Sequence, residues 1–398
     1  MRIAFVTYEF PPRLVGGAGV YAKNVASNLA GLGHDVTVFV PTVGGEARSE
    51  RSPEGVEIER IPRPREGLRL LLPFGLKALK SIEGRKGGDR FDVVHLNGLG
   101  FVGLRDRGNS SVYVSTGHHL SVETAAKAGL SLAGRLKDFQ GENGHIVPLM
   151  ERYGARLADR FLAVSRETKE DLQRVLGIPA PSIDVVWNGV DGSGAPSGPR
   201  DREELRRWLG LPEGPLVLFV GRVDDPRKEL LSLVRAVAGL PHRLDAKLVA
   251  VGGGSPSKPL ELAERLGIKD RLAFPGRLSS EALWSAYLAA DLHVCASRQE
   301  GFGLTILEAI CAGCPVISTK VGVAPEIEDR LADMVPTGSH EALRDAISAF
   351  LRERRERPRQ GEVAIPHELS WERCAEQTLA SYEGAIRLRT EGSKRRRP

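Results

Sequence analysis

Short apolar runs rich in β-branched residues alternate with helical patterns along almost the whole chain, and this alternation constrains the fold most. Such an alternation is typical of parallel sheets that are covered by helices. In the first half, the predicted strands are residues 3–8, 36–41, 56–61, 93–96, 112–116, 161–164 and 183–187. The helices predicted between them lie near residues 20–31, 68–83, 145–158 and 166–176.

The alternation begins again after residues 191–199, which are rich in Gly, Ser and Pro and have the composition of a linker. The second half predicts strands at 217–220, 248–251, 272–274, 292–295 and 316–318, with helices near 229–239, 258–266, 280–290, 304–312 and 340–356. We therefore expect an α/β chain of two Rossmann-like domains, residues 1–190 and 200–370. Ligands of such sheets bind beyond the carboxyl ends of the strands, so we expect the site in the cleft between the domains.

Composition and charge place the chain among ordinary globular enzymes. The 398 residues, 41% of them hydrophobic, can build a core in each of two or three domains. No apolar run is long enough to cross a bilayer, and the N-terminus leads straight into a strand, so we expect a cytoplasmic protein. The net charge of +5 is mild, the basic residues 391–398 are interpreted as a solvated tail, and no motif indicates nucleic-acid binding.

The four cysteines do not form a disulfide framework. Cys311 and Cys314 have the spacing of a redox or zinc pair, but no second pair accompanies them. Because they fall near the end of a predicted apolar helix, we interpret them as small core residues.

The segment from Glu300 to Glu308 carries two carboxylates that flank a Gly-rich turn at the start of an apolar helix. The N-terminus of such a helix favours a phosphate, and Gly301 and Gly303 would allow the ligand close to the main chain. Glu308 would then accept hydrogen bonds from hydroxyls. A phosphate beside a polyol describes a nucleotide sugar better than ATP, whereas an ordinary capped helix remains the alternative for this segment taken alone.

Charged and polar residues follow other predicted strands. Arg222 and Lys228 come after the first strand of the second half, where a diphosphate leaving group would need positive charge. In the first half His118, which we favour over His119, follows a strand and could donate to a sugar hydroxyl or a phosphate.

A glycine segment that includes Gly16 and Gly17 contains the pattern G-x-G-x-x-A of dinucleotide-binding proteins. The loop before it is too long for the tight first turn, and the second strand ends at Pro41 and Thr42 without an acid for a ribose. A nicotinamide dehydrogenase is therefore a weak alternative. The glycines nevertheless place backbone amides at a helix start, where they could meet a phosphate or the transferred sugar.

Together these residues resemble the retaining glycosyltransferases of family 4, which have the GT-B fold, and the second half is similar to the phosphatidylinositol mannosyltransferase group. The resemblance covers nearly the whole chain. Besides the segments already described, it rests on Asp92-Val93-Val94-His95, Thr116 with His118, Asn188-Gly189-Val190-Asp191, Asp225-Pro226-Arg227-Lys228, Phe274 with Gly276, Ala290-Asp291, Ser297 and Pro315-Val316.

The resemblance implies a role for each candidate residue. Arg222 and Lys228 would hold the diphosphate of a UDP- or GDP-hexose, Glu308 the ribose and Glu300 the hydroxyls of the transferred sugar. His118 would touch the sugar near its reacting carbon. Further donor-binding positions would be Gly16, Gly17, Gly276, Arg277, Gly301, Phe302, Gly303 and Leu304. A helix near residues 371–390 would cross back to the first domain.

The family works without a metal or cofactor, and the sequence has no convincing D-x-D motif or cluster of His and carboxylates. Retention would follow a front-side route in which a donor phosphate oxygen deprotonates the acceptor. A double displacement with Glu300 as the nucleophile remains the rival mechanism.

The chain departs from the family pattern at a few positions. Glu229 follows Lys228 where the family usually has Gly, and Val323 replaces the second of two typical glycines, although Glu326 is retained. The Gly/Ser/Pro linker also lacks the Phe that usually follows Asp191. None of these departures removes a proposed charge.

If the chain is a glycosyltransferase of this family, we expect its acceptor to be a glycan, a small polyol or a lipid headgroup. Residues 60–80 mix basic and apolar side chains as a helix at a membrane surface would, which would give a peripheral contact with the inner membrane surface. A helix that faces the core with a solvated basic side is the alternative. A GT-B epimerase, a phosphorylase and a non-catalytic sugar-binding protein are the alternative functions.

Overall fold

The computed structural model describes the chain except for residues 13, 15, 43–46, 63–70, 102, 104, 106–110, 121–145, 199, 354–359 and 396–398. The chain forms two compact units. The first comprises Met1–Gly189 and Ser370–Pro398, and the second comprises Val190–Leu369.

An eight-stranded sheet forms the centre of the first unit, in the order β3-β4-β2-β1-β5-β6-β7-β8. All neighbouring strands are parallel except β3 and β4, which are antiparallel. The strands are β1 Arg2–Val6, β2 Asp35–Pro41, β3 Ser49–Arg51, β4 Glu57–Ile61, β5 Val93–Leu96, β6 Val112–Gly117, β7 Arg160–Ala163 and β8 Ile183–Val185. Because β5 and β6 are buried along their whole length, the sheet is covered on both faces.

Five described α-helices belong to this unit: Gly17–Gly31, Leu71–Glu83, Ile146–Gly154, Arg166–Leu176 and Trp371–Arg395. Helix Arg166–Leu176 begins where the Ser165 hydroxyl accepts a hydrogen bond from Thr168 N, and it ends at Gly177 in the left-handed conformation. The terminal helix extends to Arg395, so most of the tail predicted at 391–398 is helical.

The segment predicted to lie at a membrane surface, residues 60–80, is described at residues 60–62, which end β4, and from Leu71 onward. Phe74, Ala78 and Leu79 of this helix are almost fully buried in the core of the first unit, whereas Lys77 and Lys80 are exposed. The described part of the helix therefore turns its apolar face to the core, as in the alternative interpretation. Residues 63–70 of the segment lie outside the described residues.

A parallel six-stranded sheet with the order β12-β11-β10-β13-β14-β15 forms the centre of the second unit. Its strands are β10 Leu216–Val220, β11 Lys247–Val251, β12 Leu272–Gly276, β13 Leu292–Cys295, β14 Val316–Thr319 and β15 Asp333–Val335. The chain builds the sheet outward from β10 in one direction as far as β12, and then continues on its other side with β13. The strand order therefore reverses between β10 and β13, and this reversal is where doubly wound sheets bind ligands.

The second unit also has a two-stranded antiparallel ribbon of β9 Arg200–Asp201 and β16 Gln360–Gly361. Its described α-helices are Arg202–Leu209, Leu230–Ala238, Ser257–Arg265, Ser280–Ala289, Leu304–Cys311 and His340–Glu353. Apolar residues from one face of β10, β11 and β13 pack with helices Leu230–Ala238, Ser257–Arg265 and His340–Glu353 in a core cluster.

The segment interpreted as a linker, residues 191–199, is assigned to the second unit as far as it is described. The indole nitrogen Nε1 of Trp284 donates to Asp191 O at 3.3 Å, and a Cβ on Gly194 would lie only 2.0 Å from Ser280 Oγ. Gly194 is therefore required by close packing against a helix. The boundary between the two units follows Gly189, ahead of the Gly/Ser/Pro-rich residues.

Every predicted strand is present, with its ends shifted by at most two residues. Four short strands, β3, β9, β15 and β16, and the helix Arg202–Leu209 were not predicted. Within the described ranges, no helix combines the length and apolar character needed to cross a bilayer.

Candidate functional site

The loops that follow β10 and β13 carry the acidic and basic candidates of the second unit. Lys228 lies at the end of the first loop, in the short 3₁₀ turn Pro226–Lys228, and Glu300 lies in the second. Because β10 and β13 are neighbours, with Val217 opposite Leu292, their carboxyl ends and the following loops are adjacent. The fold thus brings the two loops together at the reversal of strand order.

Lys228 and Glu300 form an ion pair in which Lys228 Nζ lies 2.6 Å from Glu300 Oε1. The Ser297 hydroxyl donates to the same oxygen at 2.7 Å. Thr319 at the end of β14 donates from Oγ1 to Ser297 O at 2.6 Å, which fixes the loop. Two donors therefore converge on Oε1 of Glu300, and Oε2 is the oxygen that can accept from a hydroxyl.

The Glu300 carboxylate favours the protonated, positively charged form of Lys228. Burial alone would lower the pKa of Lys228, but the adjacent Glu300 carboxylate outweighs it and holds that pKa above its ordinary value. The two side chains are only 21% and 12% exposed, so solvent screens the pair weakly. Lys228 is therefore a fixed positive charge at the carboxyl end of the sheet.

The helix Leu304–Cys311 begins next to this pair. Its N-cap residue Gly303 has φ +99°, a conformation that glycine adopts without strain, and a Cβ on Gly322 would lie 2.3 Å from Phe302 O. Val323 N donates to Phe302 O at 2.8 Å. Val323 itself has φ −78°, so the replacement of the family's second glycine imposes no backbone strain. The helix N-terminus accordingly has the rigid glycine turn expected of a phosphate site.

Glu308 lies inside this helix and is held by a tyrosine. The Tyr287 hydroxyl, from helix Ser280–Ala289, donates to Glu308 Oε2 at 2.8 Å. Burial raises the pKa of Glu308, while the bond from Tyr287 opposes that rise. The bond fixes the direction of a carboxylate that Lys228 does not contact directly.

Arg222 occupies a separate part of the same edge. Its guanidinium Nη2 lies 3.2 Å from Asp224 Oδ1, and the side chain is 59% exposed. Asp224 also accepts from Ser255 N at 3.4 Å, in the loop after β11. Arg222 is thus held as an exposed cation by Asp224, whereas Lys228 is the cation paired with Glu300.

The predicted donor-binding residues Gly276 and Arg277 belong to the same edge. Gly276 O, at the end of β12, accepts from Gly252 N at 2.9 Å. The Arg277 guanidinium packs closely on Gly253, where a Cβ would lie 2.7 Å from Nε. The loops after β11 and β12 are therefore packed together beside the loop that bears Arg222.

His118 in the first unit is held by an asparagine. His118 Nε2 lies 2.7 Å from Asn97 Oδ1, and Asn97 Nδ2 donates to Ala18 O at 2.9 Å and Thr7 Oγ1 at 3.0 Å. Ala18 O can only accept, so the amide of Asn97 must turn Nδ2 toward Ala18 and Oδ1 toward His118. Because Oδ1 is also an acceptor, Nε2 of His118 carries the proton. Burial and the neighbouring His119 lower the pKa of His118, so the ring is neutral at pH 7. The ring can thus accept through Nδ1, whereas the sequence predicted a donor.

The glycine segment also differs from the prediction. The helix begins at Gly17, ahead of the predicted start near residue 20. Gly16 N donates to Glu9 Oε2 at 2.9 Å, so this amide is already engaged by a carboxylate of the first loop. The backbone of Gly17 and the following residues forms the first turn of the helix.

Sequence reasoning missed the side chains that hold the candidates in place, namely Asn97 for His118 and Tyr287 for Glu308. Asn97 directly follows the predicted strand at residues 93–96, and a polar residue at the carboxyl end of a strand is a candidate for the site. Tyr287 lies within a predicted helix, and no local pattern connects it with Glu308. Among the described residues, no group of three or more His, Cys, Asp and Glu side chains is placed to hold a metal ion.

Comparisons with known proteins agree with the two units. The family model described as "Glycosyltransferase Family 4" matches residues 15–193, and the one described as "Glycosyl transferases group 1" matches residues 201–365. A D-inositol 3-phosphate glycosyltransferase of Nocardia farcinica is 32% identical over 93% of this chain and 85% of its own length. A GDP-mannose-dependent alpha-mannosyltransferase of Mycolicibacterium smegmatis is 30% identical over 98% of this chain and 99% of its own.

Solved structures show the same fold. The sucrose-phosphate synthase of Thermosynechococcus elongatus superposes with a TM-score of 0.70 at 23% sequence identity, covering 99% of this chain and 98% of its own. The predicted family and the predicted α/β fold with two Rossmann-like domains are confirmed. The chain belongs to glycosyltransferase family 4, has the GT-B fold and is a glycosyltransferase.

Proposed function

We propose that the protein transfers a hexosyl group from a UDP- or GDP-sugar to an acceptor hydroxyl with retention of configuration, and that it needs neither metal nor cofactor. The observation that carries this proposal is the Lys228–Glu300 pair beside the N-terminus of helix Leu304–Cys311. A fixed cation, a helix dipole and a carboxylate suit the diphosphate and the sugar of one donor molecule.

The diphosphate is proposed to bind Lys228, Arg222 and the main chain from Gly301 to Leu304. Its negative charge grows as the bond to the sugar breaks, so cations fixed in advance stabilise the transition state more than the ground state. The low exposure of Lys228 strengthens this effect, since little water screens the charge. In this proposal, protein charges supply the stabilisation that a metal ion supplies elsewhere.

The nucleoside and the sugar are proposed to bind the two carboxylates. Glu308, directed by Tyr287, accepts from the ribose hydroxyls, and Glu300 accepts through Oε2 from the hydroxyls of the transferred sugar. On the first unit, His118 is proposed to contact the sugar near its reacting carbon through Nδ1, with the backbone of Gly17 near the donor.

Retention is proposed to follow a front-side route. The bond between the anomeric carbon and the diphosphate oxygen breaks, and the acceptor oxygen bonds to the same face of that carbon. The acceptor proton passes to the departing phosphate oxygen, so that no protein base is consumed. Glu300 as a covalent nucleophile is the rival route, and its ion pair with Lys228 and bond from Ser297 disfavour it by lowering its nucleophilicity.

The names of the relatives suggest which substrates to test first. A GDP-mannose-dependent relative makes GDP-mannose the first donor, and the D-inositol 3-phosphate glycosyltransferase makes a small phosphorylated polyol the first acceptor. A lipid headgroup is the other acceptor class, and a peripheral membrane contact through residues 60–80 remains a prediction. Sedimentation with vesicles of anionic lipid, compared with vesicles of zwitterionic lipid, tests that contact.

The experiment that tests the function is a thermal-shift screen of UDP- and GDP-sugars, followed by product analysis with the stabilising donor. We expect one donor to raise Tm and to yield a product with the anomeric configuration of the donor, in the presence of a chelator. An inverted product would overturn the retaining mechanism. Loss of turnover with chelator and its recovery with Mg²⁺ or Mn²⁺ would overturn metal independence.

A further inference from the structure

Glu229, the residue after Lys228, has an unusual backbone conformation. Its φ is +52°, and the only other described residue besides glycine with positive φ is Asp245. This left-handed conformation is costly for a residue with a Cβ. The turn leads from the 3₁₀ turn Pro226–Lys228 into helix Leu230–Ala238, for which Glu229 is the N-cap residue. A strained glutamate at such a turn calls for a compensating side-chain contact.

The Glu229 side chain makes two contacts. Its Oε1 forms an ion pair with Arg298 Nε, and its Oε2 accepts a hydrogen bond from the Ser232 hydroxyl. The glutamate side chain is 15% exposed and the arginine side chain 36%. The contact with Arg298 is one of charge, because no described residue offers Arg298 Nε–H an acceptor in good hydrogen-bond geometry. Glycine could make neither contact.

Arg298 belongs to the loop that carries Glu300. Its main-chain nitrogen donates to Arg227 O at 2.8 Å, one residue before Lys228. Besides the Lys228–Glu300 pair, two links therefore join the loop after β10 to the loop after β13, one through the backbone and one through the Glu229–Arg298 pair. Lys228 lies between the residues that make these links, and its own partner, Glu300, lies two residues beyond Arg298.

We propose that Glu229 and Arg298 are a positioning pair, which holds the two loops at the offset that brings Lys228 to Glu300. The pair also balances the charge of Arg298, as Asp225 balances that of Arg227, so that Lys228 remains the cation that contacts Glu300 directly. Without Glu229, Arg298 would become an unbalanced cation able to turn toward Glu300 and compete with Lys228. The proposal rests on the function proposed above for Lys228 and Glu300. It assigns the strained Glu229 a role in placing the donor charges.

The test is a double-mutant cycle of Glu229→Gln, Arg298→Gln and the double variant, with steady-state kinetics for the donor. Each single variant should lower kcat about tenfold and change the donor KM by less than about threefold, since charges are misplaced and none of the groups proposed to bind the donor is removed. The double variant should lose no more than the worse single variant, because both changes remove the same interaction. Arg298→Lys, which keeps the charge, should retain more activity than Arg298→Gln.

Glu264→Gln serves as the matched control, since Glu264 pairs with Lys269 at 3.4 Å on the exposed surface of the same unit. Its kinetics should equal those of the parent. Glu229→Gly separates positioning from stability, because it relieves the left-handed strain while it removes the carboxylate. We expect its Tm to stay near that of the parent and its kcat to fall as in Glu229→Gln.

Single variants with kcat within about twofold of the parent, or losses that multiply in the double variant, would overturn the positioning pair. A fully active Glu229→Gly would do the same. An inactive Lys228→Ala beside a fully active Glu229→Gln would contradict this inference and leave the proposed function intact. An unaffected Lys228→Ala would instead contradict the proposed function itself.

Discussion

Lys228 Nζ lies 2.6 Å from Glu300 Oε1, although 72 residues separate the two in the chain. The contact follows from the strand order, since β10 and β13 are neighbours and the loops after them lie at one edge of the sheet. Lys228 is mostly buried, while Arg222 is well exposed and held by Asp224. The two proposed donor cations therefore differ in what their removal does to the fold.

Replacement of either cation by alanine should lower kcat/KM by about 10²- to 10³-fold, because each stabilises charge that develops on the diphosphate. Arg222→Ala should keep the parent's Tm, since its ion pair is exposed. Lys228→Ala should also lower Tm, because it leaves the Glu300 carboxylate buried without its cation. Steady-state kinetics and thermal unfolding check both, with Lys269→Ala as an exposed control. Activity of Arg222→Ala or Lys228→Ala within about threefold of the parent contradicts the role of that cation.

Substitution of Glu308 should mainly affect nucleotide binding, whereas substitution of Glu300 should mainly affect catalysis. Glu308→Gln should mainly weaken the affinity for the free nucleoside diphosphate, since Glu308 is proposed to hold the ribose. Glu300→Gln should keep that affinity and lower kcat, because Glu300 is proposed to contact only the sugar. Calorimetric titration of the nucleoside diphosphate, together with kinetics, measures both effects. An equal loss of affinity in the two variants rules out this division.

The strands of both sheets and the residues at their carboxyl ends could be predicted, because a buried parallel strand is an apolar run and its exit loop is an exposed polar segment. β15 Asp333–Val335 was missed because it is three residues long and begins with a charged residue. Helix Arg202–Leu209 was missed because it is dominated by charges, although Asp201 caps it by accepting from Glu204 N at 2.9 Å. Short elements like these depend on pairing and capping, which leave weak traces in composition.

Contacts between elements were harder to predict. The bonds from Tyr287 to Glu308 and from His118 to Asn97 depend on how a helix or a loop packs against its neighbour. The resemblance to the family supplied the identity of the candidate residues, but not these partners. The engagement of Gly16 N by Glu9 was missed for the same reason, since it depends on how the first loop folds back.

Tyr287→Phe should weaken the affinity for the nucleoside diphosphate by about tenfold, because Glu308 loses the hydrogen bond that fixes its direction. The parent should also prefer the ribonucleotide over its 2′-deoxy form, and this preference should shrink in Tyr287→Phe because Glu308 is no longer directed at the ribose. Calorimetric titration with both nucleotides measures this. Tyr153→Phe, at a half-exposed site in the first unit, is the control. An unchanged preference in Tyr287→Phe excludes a positioning role for Tyr287.

The last prediction concerns pH and His293, a buried histidine in β13. Burial lowers the pKa of His293 to about 3. The unfolded chain has the ordinary pKa of about 6.5, so above that pH the ring is neutral in both states and contributes no pH dependence. Below pH 6.5 the unfolded chain binds a proton that the folded chain refuses, and the free energy of unfolding falls until the pH nears 3.

As the pH falls from 7 to 5, His293 alone should lower the free energy of unfolding by about 2 kcal/mol. His293→Gln should remove that loss, so the fall in the free energy of unfolding over this interval should be about 2 kcal/mol smaller than in the parent. Urea unfolding at the two pH values measures the difference between parent and variant, in which the contributions of other titrating groups largely cancel. His242→Gln, at an exposed position, should behave as the parent does. An equal fall in the parent and in His293→Gln would mean that His293 is protonated in the folded state, contrary to its burial in the sheet.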